Sequence, residues 1–101
     1  MTVWLGKRVL ILGLARQGTA LARYLAGQGA SVTVSDLRSR EALAEPLQAL
    51  AGLTIEYVLG EHPHALLDGC DLLCLSGGVD VNAQLPTEAR RRGIALSNDA
   101  E

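Results

Sequence analysis

Three short segments of this 101-residue chain carry residue types and spacings suited to chemistry. The first is Gly13-Leu14-Ala15-Arg16-Gln17-Gly18, which follows the apolar run Val9–Leu12 and opens a helical pattern. A strand that breaks at a glycine and re-enters as a helix points backbone N–H groups outward at the positive end of the helix dipole, where a phosphate is favoured. Arg16 and Gln17 stand at that helix start with side-chain donors for the same anion. In the usual G-x-G-x-x-G fingerprint the middle glycine lies where the backbone comes closest to a pyrophosphate. Here that position is Ala15.

The second segment is Asp36-Leu37-Arg38, at the end of the next apolar run. Asp36 falls 23 residues after Gly13, the spacing at which dinucleotide-binding folds carry the acid that binds a ribose. A carboxylate also accepts from a ring N–H, the backbone around Leu37 can read a base edge, and Arg38 can neutralise charge or lie across a base. The third segment is Ser76-Gly77-Gly78, where two glycines allow close approach of backbone to a ligand. Each segment also has a plain structural duty. Gly18 can pack a helix on a sheet, Asp36 can cap the segment after it, and Ser76-Gly77-Gly78 can be an ordinary turn.

Positioning these segments requires a parallel α/β sheet, and the chain alternates short apolar runs with helical stretches accordingly. Strands are predicted at Val9–Leu12, Ser31–Ser35, Thr54–Leu59, Asp71–Leu75 and Ile94–Ser97. The third alternates, as a strand near an edge does, and the fourth is apolar on both faces. Helices are predicted from Gln17 to Ala26, over Glu41–Leu50 with Leu43, Leu47 and Leu50 inward, and over Leu85–Arg92, with a short turn at His64–Leu67. Pro46 interrupts the second helix or starts a new segment, whereas Pro86 is tolerated in the first turn of the last. Right-handed crossovers give one doubly wound five-stranded domain, residues 1–101, with strand order 3-2-1-4-5. The three segments then converge at the carboxyl ends of the strands, beside the switch point between strands one and four.

A net charge of −2 gives no reason to expect nucleic-acid binding. No apolar run is long enough to span a membrane, and Gly6, Lys7 and Arg8 break the layout of a signal peptide, so the expected address is cytoplasmic. Cys70 and Cys74, read as two positions on one face of a strand, would lie roughly 13 Å apart, too far for a disulfide. They are expected to be inert thiols, with no metal site. His62 and His64 flank Pro63 and are expected to be solvated, and Asp80 and Asn82 to organise the loop before the last helix. No nucleophile–base pair or Walker phosphate loop is present, so no catalytic residue is assigned.

Taken together, Gly6-Lys7-Arg8-Val9, the Gly13–Gly18 loop, Asp36-Leu37-Arg38, Ser76-Gly77-Gly78-Val79, Ala89-Arg90-Arg91-Arg92-Gly93-Ile94 and Asn98-Asp99-Ala100-Glu101 resemble the N-terminal domain of the Mur ligases, over essentially the whole chain. The resemblance implies a Rossmann-like module that grips UDP. Gly13, Leu14, Ala15, Arg16, Gln17 and Gly18 would face the diphosphate, Asp36, Leu37 and Arg38 would surround the uracil, and Ser76 and Gly78 would line the cleft. It is nearest to the branch that joins D-glutamate to UDP-N-acetylmuramoyl-L-alanine in making peptidoglycan precursors. ATP and Mg2+ would belong to a central domain outside these 101 residues, as would a C-terminal domain, and the chain alone would be inactive. Two departures stand out: the family commonly has Ser-Pro-Gly at Ser76-Gly77-Gly78, and Gly-Asp-(aliphatic)-Glu at Asn98–Glu101. Two alternatives stay open on the residues themselves: an NAD(P)-binding domain with Asp36 on a ribose, and an interaction module that binds no phosphate.

Overall fold

A computed structural model describes residues 4–76, 79 and 83–97. In chain order the elements are β1 (Arg8–Leu12), α1 (Arg16–Gly27), β2 (Ser31–Asp36), α2 (Ala44–Ala49), β3 (Ile55–Leu59), a 3₁₀ turn (His64–Leu67), β4 (Leu72–Leu75), α3 (Gln84–Arg91) and β5 (Ala95–Ser97). The strands form one parallel sheet in the order β3-β2-β1-β4-β5, the predicted topology.

The central strand divides the core by simple alternation. Val9 and Ile11 pack with Leu14, Ala22, Leu25, Val34, Leu43 and Leu50 on the face covered by α1 and α2. Leu10 and Leu12 pack with Leu67, Leu73, Leu75, Leu85 and Ala89 on the face covered by the 3₁₀ turn and α3. A strand buried on both sides has no polar positions to spare, which is why β1 and β4 read as continuous apolar runs. β3, at the edge, is only partly buried along its length.

Three expectations need correcting. The segment from Glu41 to Leu50 is not one helix: a turn carries Leu43 into the core, and α2 begins only at Ala44. Pro46 lies in its first turn, where its missing N–H costs nothing. The two cysteines do not share a strand face. Cys74 lies in β4 and packs on the α1 side, whereas Cys70 precedes the strand and packs on the α3 side. Neither is in a disulfide, and burial pushes the Cys70 thiol up. His62 is not solvated either, as described below. Gly77, Gly78, Asp80, Asn82 and Asn98–Glu101 lie outside the described residues. No helix among the described residues is long and apolar enough to cross a membrane.

Candidate functional site

The loop between β1 and α1 is shaped by the end of β4. Gly13 has φ +93, and a Cβ there would sit 2.8 Å from the Ser76 carbonyl oxygen. Gly18 is buried in the first turn of α1, and a Cβ on it would come within 2.6 Å of Ser76 Oγ. Glycine at both positions lets the loop and helix start close onto the sheet. The side chain of Leu14 is sunk in the core, while Ala15 is the N-cap and has no side-chain acceptor to offer the helix. Thr19 N–H donates to the Ala15 carbonyl at 2.9 Å, opening the intrahelical ladder. The first-turn amides of an α-helix lie too early for an i−4 carbonyl, and no acidic residue sits in the first turn of α1. Arg16 is exposed and has no ion-pair partner among the described residues.

At the end of β2 the carboxylate of Asp36 is 4 % exposed and is held by four donors. Oδ2 accepts from Leu14 N–H at 2.8 Å and from Arg38 Nη2 at 2.8 Å. Oδ1 accepts from Arg38 N–H at 2.8 Å and from Arg38 Nε at 3.0 Å. Burial alone would raise the carboxyl pKa; the Arg38 guanidinium and the two backbone N–H groups outweigh it and hold the group at about 2. A carboxylate has about four acceptor sites, so Asp36 is spent within the protein. It ties the β1–α1 loop to β2.

Ser76 closes the site from β4. Its hydroxyl is buried and has no hydrogen-bond partner among the described residues, although its N–H donates to the Leu12 carbonyl at 2.9 Å. Two depressions flank the end of β1. On the α1 side a groove of about 680 Å³ runs past Ala15, Arg16, Thr19, Arg23, Arg38 and Pro46. On the α3 side a smaller pocket of about 270 Å³ is walled by Leu12, Leu37, Val79 and Pro86, with His62 and Gln84 supplying polarity.

Residues 7–98 match the family described as Mur ligase MurD-like, N-terminal domain. The chain belongs to this family. The chain is 46% identical, over 96 residues, to UDP-N-acetylmuramoylalanine–D-glutamate ligase of Geobacter metallireducens, a match covering 95% of the chain and 21% of that protein. It spans about a fifth of the length of the curated relatives it matches. Among solved structures, L-alanine dehydrogenase aligns over 82% of the chain and 24% of its own, with a TM-score of 0.59 and 28% identity. Dipicolinate synthase from Bacillus halodurans aligns over 97% and 40%, with a TM-score of 0.65 and 22% identity. That last likeness speaks to the fold alone.

In the MurD-like domain the predicted site residues fall into two groups. Ala15, Arg16 and Arg38 line the groove beside α1, and Gln17 lines a neighbouring depression with Gly18 and Ser76. Gly13, Gly18, the Leu14 side chain and Asp36 are instead buried parts of the frame. Leu37 is 64% exposed and lines the pocket on the α3 side. Gly78 lies outside the described residues. Sequence reasoning missed His62, whose ring is half-buried with Nδ1 2.7 Å from Ser35 Oγ. A usable signal was its position just past β3, on the same strand edge as Asp36. Thr19 and Arg23, which line the larger groove, gave no local signal at all.

Proposed function

We propose that this chain is the UDP-binding domain of an ATP-dependent, amide-forming ligase that adds D-glutamate to UDP-N-acetylmuramoyl-L-alanine. The observation that carries the nucleotide reading is the N-terminus of α1, where the N-cap Ala15 offers no side-chain acceptor and Arg16 lies at the mouth of a groove of about 680 Å³ running between α1 and α2. A diphosphate meets there the amides ahead of Thr19, the helix dipole and a guanidinium. The family and its curated relatives support the ligase reading.

The residues of this chain do not form the ATP and Mg2+ site: no Gly-Lys-Ser/Thr loop occurs in the 101 residues. ATP would activate the terminal carboxylate in another domain of the full enzyme. The part played here is orientation. Holding the UDP handle far from the reacting carboxylate converts binding energy into positioning, a remote contribution to rate.

The structural likeness to L-alanine dehydrogenase favours a second reading, an NAD(P)-binding domain. It requires Asp36 to accept from ribose hydroxyls. Both oxygens of Asp36 already hold Leu14 and Arg38, which counts against it, as does Ala15 at the position of closest approach. Calorimetric titration separates the two: saturable binding of UDP without binding of NAD is expected, and the reverse would hand the chain to the dehydrogenase class.

A further inference from the structure

The helices cover the two faces of the sheet over different strands. α1 and α2 lie on one face, over β1, β2 and β3, while the 3₁₀ turn and α3 lie on the other, over β1, β4 and β5. Among the described residues no helix covers the α3 side of β2 and β3 or the α1 side of β4 and β5. The first of these surfaces carries Ser31, Thr33 and Glu56, polar groups suited to water. The second does not. Register sets Leu72 beside Ala95 and Cys74 beside Ser97, and Leu72 and Cys74 pack on the α1 side, so all four face that way. Ala95 is exposed there, whereas Leu96, on the opposite face of β5, packs against the α3-side core.

The neighbouring flank of α1 extends this surface. Leu21 and Tyr24, three residues apart, share a side of the helix, and Tyr24 is 54% exposed. With Ala20 and Leu75 they line a depression of about 280 Å³ between α1 and the end of β4. Parallel sheets occur almost only with both faces covered, because their strands carry apolar side chains on each side. A patch built from Leu21, Tyr24, Leu72 and Ala95 calls for such a cover.

Chain direction and length say what supplies it. The chain leaves the edge strand β5 at Ser97, opposite Cys74 and one residue short of the level of Leu75, which lines the depression. α3 already occupies the other face of β5. The curated relatives extend well beyond this domain, which spans 21% of each of two of them. β4 is four residues long, about 13 Å, which a helix of roughly nine residues spans. We propose that the α1 side of β4 and β5 is a docking face within the full-length ligase, covered by the apolar side of a helix from the polypeptide beyond residue 101. Tyr24 and Leu21 form its wall, and Leu72 and Ala95 its floor. The inference needs the chain to be one domain of a longer enzyme and is independent of UDP binding.

Hydroxyl-radical footprinting of the full-length enzyme and of the 101-residue chain tests it. Tyr24 is expected to oxidise about fivefold more slowly in the full-length enzyme, as a change from 54% exposure to burial requires. Leu53, in the turn before β3 at the far edge of the sheet, should react alike in both. A benzophenone amino acid in place of Tyr24 in the full-length enzyme should crosslink, on irradiation, to a peptide beyond residue 101. Equal Tyr24 oxidation in the two proteins overturns the proposal. So does crosslinking confined to residues 1–101, to a second copy or to another protein. Protection of Tyr24 that grows with the concentration of the 101-residue chain would assign the face to self-association and overturns it too. Each of these results leaves the UDP reading to stand or fall by its own titration.

Discussion

Asp36 is the residue on which the site's geometry turns, because one carboxylate joins the β1–α1 loop to the end of β2. Its pKa is lowered from 3.8 to about 2, a shift worth about 2 kcal/mol of native-state stability. A folded pKa below the unfolded one means that this contribution is fully present above about pH 4. It fades as acidification carries the pH down through 2. Asp36→Asn puts an NH2 group against Leu14 N–H or Arg38, so the variant should be less stable at neutral pH by about 2 kcal/mol or somewhat more. The difference between wild type and variant should then shrink between about pH 4 and pH 2. Urea melts across that range check both points; a constant difference would show that the ionised carboxylate is not what holds the loop.

Among the elements, α1 depends most on a single side chain being absent. A methyl on Gly18 would meet Ser76 Oγ at 2.6 Å and crowd the Gly13 carbonyl. Both neighbours belong to frame rather than flexible tips, so α1 must move. Gly18→Ala should cost about 1–3 kcal/mol in denaturant melts despite alanine's better helix propensity. A stabilised variant would show that the helix start is looser than these contacts require. The elements themselves were largely legible in the sequence. Short runs such as Leu10-Ile11-Leu12 and Leu73-Cys74-Leu75, each closed by glycine-containing breaks, read as strands buried on both faces, and the alternation in β3 marks an edge. The fourfold pairing of Asp36 and the Ser35–His62 contact were not legible. They join residues 22 and 27 apart through register and turn geometry, which no periodicity encodes. The split before α2 was half-legible: Pro46 announced a break, but the burial of Leu43 on a turn depended on the core it fills.

Across the whole molecule, every segment assigned to the nucleotide lies at the carboxyl ends of the strands and comes from a different part of the chain. The loop after β1, the end of β2 and the end of β4 meet there. A ligand held by all three should bind the folded chain and not the unfolded one, so it stabilises the chain as a unit. At a hundredfold excess over its Kd, UDP should contribute about 2.7 kcal/mol, raising Tm by roughly 10–20 °C for a domain of this size. Catalysis should not accompany that gain, because the chain carries no Gly-Lys-Ser/Thr loop for ATP. Phosphate release from ATP with Mg2+, UDP-N-acetylmuramoyl-L-alanine and D-glutamate should therefore match the background without protein. Turnover by the 101 residues alone would mean that positioning and chemistry are not divided between domains. A full Tm shift without turnover is what a handle-gripping domain requires.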